Sequence, residues 1–303
     1  MFNYRTLLLS LNTNPTIAIT LSKQDVEDPA VITQCLKEID HIFSTNKTVN
    51  ELIIESEVPS LLAQSLPSLY KNSLSRQGFY QQVRPWHLHA PSTLFPWVEV
   101  QSLLQYRHHP VRPEMPTGKV YQRYDHNIEA EISFRLFDLD KDIERFTAWM
   151  NDPRVANFWE QAWSYEKLAE FIKERLSDDH IIPLIGEFNG EPFGYVEAYW
   201  VSEDRLSPYY DVQPYDRGIH LLVGEQAFRG PDYFNCWMRA ISHYLFVDDV
   251  RTQRIVLEPR ADNQRLFNRI QDVGYKKCFE FNFPHKRSAL MMLERKAFFT
   301  EQY

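Results

Sequence analysis

Residues 207–224 read Ser-Pro-Tyr-Tyr-Asp-Val-Gln-Pro-Tyr-Asp-Arg-Gly-Ile-His-Leu-Leu-Val-Gly, and this stretch constrains the chain more than any other. The tyrosine- and proline-rich half cannot continue a helix, so the apolar half that follows reads as a buried strand over 218–223. That strand carries one histidine, His220, in its middle. A second segment answers it at 254–263, Arg-Ile-Val-Leu-Glu-Pro-Arg-Ala-Asp-Asn, where a strand ends on the carboxylate of Glu258 and a proline and Asn263 lead into a helix.

Bulk properties narrow the classes of partner. The 303 residues, 44% of them hydrophobic, suffice for two modest domains or one large one. The net charge of −8 gives no basic surplus for nucleic acid or an anionic membrane, so an anionic ligand needs a local positive site. Cys35, Cys236 and Cys278 are too few and too scattered for a disulfide framework or a cysteine zinc site. The apolar run at 7–11 is too short for a signal sequence, and no segment is long enough to span a bilayer. A cytoplasmic location is therefore expected.

Three regions follow along the chain. Residues 1–106 read as a smaller α/β domain with a structural or lid role, with strands at 7–9, 16–21 and 52–54 and an amphipathic helix over 26–43. Residues 107–119 read as a linker, because Pro110, Pro113 and Pro116 disfavour helix and interrupt sheet pairing. The adjacent His108 and His109 project differently and lack partner spacing, so no metal is assigned. From 120 to 303 the pattern is regular. A strand at 131–137 precedes a helix at 140–150 that Asp152-Pro153 stops, and Ser164 caps a second helix. Strands 181–188 and 193–201 form a hairpin around Asn189-Gly190. Strand 218–223, helix 232–246, strand 252–258 and helix 263–272 come next, and strands 276–283 and 289–293 close the chain.

The candidate chemistry rests on few residues. His220 shares its strand face with Leu222, and a polar ring there is either a core histidine satisfied by a backbone group or a base. Glu258 is either a solvated strand end or the carboxylate that orients such a base. The loop 224–233 offers amides at a helix N-terminus, the charge of Arg229 and close approach at Gly230, whereas Pro231 removes a donor and Asp232 caps the helix or repels an anion.

The element order from 131 onward resembles that of the GNAT acetyltransferase superfamily, an α/β fold whose mixed central sheet is flanked by helices. The string Ser207-Pro208-Tyr209-Tyr210-Asp211 through Pro214-Tyr215-Asp216-Arg217-Gly218-Ile219-His220 more specifically resembles the siderophore-biosynthesis N-acyltransferases. These include the aerobactin-type N-hydroxylysine acetyltransferases and the mycobactin lysine N-acyltransferase. Segments 149–159, 183–186, 194–200 and 286–290, with Arg229-Gly230, Glu258-Pro259 and Asn263, extend the resemblance over 120–295. It implies a metal-free, single-displacement transfer from acetyl-CoA to an N-hydroxylated diamine or lysine-type acceptor, giving a hydroxamate. By position His220 matches the catalytic histidine, and Glu258 matches its acidic partner, where some relatives carry Asp. Leu222, Val223, Gly224, Arg229, Gly230, Asn263, Lys286 and Arg287 are then expected at the acyl-CoA. Trp159, Glu197, Tyr199, Trp200, Tyr210 and Asp216 are expected at the acceptor, with Glu197 receiving a distal ammonium. Strand alternation sets Glu197 and Tyr199 on one face and Trp200 on the other, so the four aromatic and acidic positions share one surface only across a twist or bulge. Core packing for Trp159 and Trp200, and a solvated basic turn for Lys286 and Arg287, are the alternatives at those sites. Two other readings stand beside this one: an aminoglycoside- or polyamine-type acetyltransferase, and a non-catalytic acyl-CoA-binding domain.

Overall fold

The computed structural model describes residues 17–88, 99–101 and 108–303, so the strand expected at 7–9 lies outside the described residues. The chain divides into two compact units. The first runs to Trp86 and takes in 299–301 and 303. It comprises β1 (Ile17–Leu21), α1 (Lys23–Glu27), α2 (Pro29–Thr45), β2 (Glu51–Ser56), α3 (Pro59–Ser65), β3 (Ser73–Ser75) and α4 (Arg76–Gln81). The sheet order is β1-β2-β3, with β1 parallel to β2. The single helix expected at 26–43 is two helices. Asp28 is extended, ends α1 and caps α2, and Pro29 supplies the preset φ of a first helical position. Helix α2 lays Ile32, Cys35, Ile39 and Phe43 into the core at helical spacing.

The second unit holds 87–298 and 302. Here β4 (Glu99–Gln101) pairs antiparallel with β5 (His108–Pro110), so the proline-rich stretch contributes a short strand. Then follow β6 (Lys119–Asp125), β7 (Ala130–Leu136), α5 (Leu139–Asn151), α6 (Pro153–Trp159), α7 (Tyr165–Ser177), β8 (Ile181–Phe188), β9 (Glu191–Trp200), β10 (Arg217–Val223), α8 (Pro231–Asp248), β11 (Arg254–Leu257), α9 (Gln264–Gln271), β12 (Lys276–Asn282), β13 (Arg287–Glu294) and α10 (Arg295–Glu301). Strands β6 to β13 build one sheet in the order β12-β13-β11-β10-β9-β8-β7-β6. Asn189 and Gly190 both have positive φ, 51° and 81°, as the two-residue turn joining β8 to β9 requires. The stop expected at Asp152-Pro153 is also a start: Asp152 caps α6, and Pro153 opens it where a missing N–H costs nothing.

Two features of this sheet position the site. First, β10 and β11 are its parallel pair, and they are in register only at Arg217↔Ile255 and Gly218↔Val256. Beyond Gly218 the strands part, while β10 stays paired with β9 as far as Val223. Second, the faces differ. Tyr195 and Leu222 lie in the same apolar cluster as Phe146 of α5, Val155 of α6 and Phe171 of α7. The opposite face, to which Arg217 points, meets Asp248 of α8. Among the described residues no helix is long and apolar enough to cross a membrane.

Candidate active site

The gap between β10 and β11 opens into a cavity of about 840 Å³ lined by His220, Leu222, Glu197, Glu258 and Trp159, among others. Register explains how the polar groups meet. His220 stands directly opposite Glu197 on β9, where cross-strand side chains touch. Its Nδ1 lies 2.9 Å from Glu197 Oε2, and its Nε2 lies 2.8 Å from Glu258 Oε1. The ring is thus clamped between two carboxylates that are each 3% exposed.

Both carboxylates are themselves held. Glu197 Oε1 accepts from Arg175 Nε of α7 and from the Tyr195 hydroxyl, each at 3.1 Å. Glu258 Oε2 accepts from the Tyr199 hydroxyl at 3.0 Å, and Arg205 lies 3.4 Å from Oε1. Lys286 Nζ donates to the Glu258 carbonyl at 2.9 Å. The Tyr199 ring lies over His220 with centroids 4.5 Å apart. Gly218 makes that overlap possible, because a Cβ there would stand 2.0 Å from the Tyr199 ring.

The electrostatics follow from this geometry. Burial alone would lower the proton affinity of His220, but the charge of Glu258 and hydrogen bonds to both carboxylates push it up to about 10. Burial works against the charge of Glu258 too, yet His220, Lys286 and Arg205 hold it well below the usual carboxylate range. Glu197 is lowered as well, by His220 and Arg175 against burial. At neutral pH the group is an imidazolium between two carboxylates.

The cavity wall is basic although the chain is acidic. Nine arginines and lysines line it against five carboxylates. Arg229, Gly230, Asn263, Lys286 and Arg287 are all on it, with Leu222 and Val223 from β10. A Cβ on Gly230 would meet nothing within 4 Å, which leaves that backbone approachable. Asn263 caps α9 by accepting from the Leu266 amide. Trp159 Nε1 donates to the Leu221 carbonyl at 3.3 Å, so the Leu221 edge of β10 faces the cleft.

Five expected site residues lie off the cavity wall. The Gly224 amide is bonded to the Phe193 carbonyl at 2.9 Å, and a Cβ there would stand 2.1 Å from the Trp149 indole, so this glycine serves packing. Trp200 sits on the opposite strand face, 3.9 Å beneath the Arg217 guanidinium. Asp216 pairs with Arg254 and accepts from the Tyr210 hydroxyl at 2.8 Å, which anchors the tyrosine-rich loop to β11. Tyr210 is thereby committed to the same anchor. Tyr199 is also absent from the wall but reaches the site through its ring and hydroxyl. Arg217 is consumed by Asp248 at 2.8 Å. His109 faces Glu203 at 3.3 Å, and among the described residues no group of three or more His, Cys, Asp or Glu could hold a metal. Sequence reading missed Arg175, Tyr195 and Arg205, which carry no local signal that separates them from ordinary surface or core residues.

Residues 138–283 match the family model described as an acetyltransferase (GNAT) domain. An N(6)-hydroxylysine O-acetyltransferase of Escherichia coli is 52% identical over 192 residues, covering 63% of this chain and 61% of that protein. A putative lysine N-acyltransferase of Schizosaccharomyces pombe is 36% identical over 310 residues, covering 98% of this chain and 90% of its own. An N(5)-hydroxyornithine:cis-anhydromevalonyl coenzyme A-N(5)-transacylase of Beauveria bassiana is 37% identical over 63% of this chain and 43% of that protein. The chain therefore spans less than two thirds of the Escherichia and Beauveria proteins. An uncharacterized protein of Bacillus halodurans of known structure superposes with a TM-score of 0.59 at 28% identity, over 62% of this chain and 95% of that one. The near-complete match to the Schizosaccharomyces protein and the parted β10–β11 pair agree, and the chain belongs to the GNAT acyltransferase family, in the group that includes these hydroxylysine and hydroxyornithine enzymes.

Proposed function

We propose that this chain moves an acyl group, acetyl in the first instance, from acyl-CoA to the hydroxylated side-chain nitrogen of a lysine- or ornithine-type amine, giving a hydroxamate. The observation that carries the reading is His220 clamped between Glu197 and Glu258 at the mouth of a parted strand pair, inside a basic cleft. The names of the relatives support the acceptor class, and the basic wall suits an anionic donor. Three free cysteines suit a reducing, cytoplasmic setting.

The chemistry fits the clamp. An N-hydroxy amine is mostly unprotonated at neutral pH, so it needs no base before it attacks. Its nitrogen bonds to the thioester carbon, the carbonyl becomes an oxyanion, and the nitrogen turns cationic and acidic. A strand amide on the cleft edge of β10 is the donor available to that oxyanion. As the adduct collapses, the carbon–sulfur bond breaks. The His220 imidazolium gives one proton to the departing thiolate, and the imidazole so formed takes the nitrogen proton. The cluster is left as it began, and the products are hydroxamate and CoA thiol. Much of the rate then comes from holding the two substrates together.

The test is thiol release from acetyl-CoA with N-hydroxylysine, N-hydroxyornithine, N-hydroxyputrescine and N-hydroxycadaverine, each beside its non-hydroxylated parent. Selective release with one N-hydroxy acceptor is expected. Release only with plain amines or aminoglycosides would move the chain to the polyamine or aminoglycoside class, and release with none would leave the non-catalytic reading.

A further inference from the structure

Arg175, Lys286 and Arg205 reach the clamp, and they are not held alike. Arg175 gives its Nε to Glu197 Oε1 at 3.1 Å, and Lys286 gives its Nζ to the Glu258 carbonyl at 2.9 Å. Arg205 meets Glu258 Oε1 through Nη2 at 3.4 Å, beyond the usual length of such a bond. Among the described residues that is the one hydrogen bond its guanidinium makes. The Arg205 side chain is 52% exposed and lines the cavity. Its guanidinium carbon lies 5.4 Å from the Phe283 ring, so an aromatic face steadies the head group without using an N–H. Arg205 therefore presents a steadied fork with donors to spare.

Its place in the fold separates it from the residues expected at acyl-CoA. Arg205 is on the loop that enters β10 at Arg217, whereas the loop 224–233 leaves that strand at its other end. The turn between β12 and β13 adds His285, which also lines the cavity and stacks on the same Phe283 ring at 5.5 Å. Burial, followed by the charges of Arg205 and Lys286, lowers the proton affinity of His285, although Glu160 and Glu258 act the other way. Asp204, buried and on the same wall, directly precedes Arg205. An acid and a base side by side match the ammonium and carboxylate of a free amino acid, and a guanidinium fork fits a carboxylate in particular. Two links, of 3.4 Å and 2.8 Å through Glu258 Oε1, separate Arg205 Nη2 from His220 Nε2. The carboxylate of an extended lysine- or ornithine-type acceptor lies roughly 6–8 Å from its side-chain nitrogen, so a nitrogen at the clamp brings the carboxylate within reach of this fork.

Resting on the acceptor reading above, we propose that Arg205 binds the carboxylate of the acceptor, so that the chain takes an N-hydroxy amino acid and discriminates against the diamine that lacks this group. Arg205 sets specificity and takes no part in the proton transfers. It also helps to keep Glu258 charged, and that effect falls on every acceptor alike. Loss of the carboxylate contact falls only on acceptors that carry one.

The experiment is steady-state kinetics of the full chain with acetyl-CoA and either N-hydroxylysine or N-hydroxycadaverine, which differ by that carboxylate alone. The variants are Arg205→Gln, Arg205→Lys and Arg175→Gln, with thermal unfolding to check the fold. The wild type is expected to favour N-hydroxylysine in kcat/KM by about tenfold to a hundredfold, the scale of a charge-assisted contact. Arg205→Gln should raise the KM for N-hydroxylysine by about that factor and bring the two acceptors within about threefold of each other. Arg205→Lys, which keeps the charge but not the fork, should recover part of the preference. Arg175→Gln loosens Glu197 and should slow both acceptors alike, with the preference kept. A wild type that does not distinguish the two, an equal loss for both in Arg205→Gln, or a preference lost in Arg175→Gln instead would overturn the carboxylate subsite and leave the acyl-transfer reading intact. No turnover of either acceptor by the wild type would overturn both.

Discussion

Replacing Glu197 by glutamine removes one of the two charges that hold His220 while keeping the shape of the side chain. The structure sets the scale of the effect. The clamp raises the proton affinity of His220 from the ordinary 6.5 to about 10, and two carboxylates share that work against the burial penalty. A rise of that size corresponds to roughly 4–5 kcal/mol net of the burial penalty, so one carboxylate accounts for at least about 2–3 kcal/mol. Breaking a buried pair commonly costs about 3–5 kcal/mol, but Arg175, the other partner of Glu197, is 26% exposed and can turn to water. The lower figure is therefore expected, and for a unit of about 200 residues it amounts to a fall in Tm of roughly 4–12 °C near neutral pH.

The pH dependence separates charge from shape. A histidine whose proton affinity is raised on folding contributes stability that is fully present below about 6.5 and is lost as pH climbs towards 10. Thermal unfolding of both proteins from pH 6.5 to 10 is the assay. The wild type should lose stability steadily across that range. Glu197→Gln should start lower and lose less, so the two curves approach each other at alkaline pH. A gap that stays constant would mean that Glu197 contributes packing rather than charge and would refute the clamp argument.

Three further outcomes follow from the same geometry. His220→Gln should lower kcat by about a hundredfold without abolishing turnover, the lower end of proton-transfer effects, with the KM for acyl-CoA little changed; loss to background would make the histidine indispensable. Gly218→Ala puts a Cβ into the Tyr199 ring, an overpacking worth about 1–3 kcal/mol, and should cut kcat by moving the ring off His220 while CoA affinity holds. Asp216→Ala should lower Tm through loss of its Arg254 pair and leave the acceptor KM unchanged; a raised KM with Tm intact would return Asp216 to the acceptor pocket.

What could be read from the residues alone depended on how local the signal was. The β8–β9 hairpin was legible because Asn189-Gly190 demands one turn type, and α7 because Ser164 caps it. His220 and Glu258 stood out as polar groups in or at the end of apolar strands. Their meeting with Glu197 did not, because β9 and β10 are joined by a long loop, and no two-residue turn counts off the register that sets Glu197 opposite His220. Trp200 was drawn to the site by the resemblance and removed by alternation, which turns it towards Arg217. Helix α6 was lost because Pro153 reads equally as a stop or a start.

The central claim is that the acyl group ends on an N–OH nitrogen. The most direct measurement is the product of N-hydroxylysine and acetyl-CoA, isolated from single turnover, weighed by mass spectrometry and mixed with ferric ion. A mass gain of one acetyl group with a coloured ferric complex is the result the account requires. The same mass gain without colour would put the acetyl on oxygen, as the name of the Escherichia relative has it, or on the other amine, and either would contradict the account.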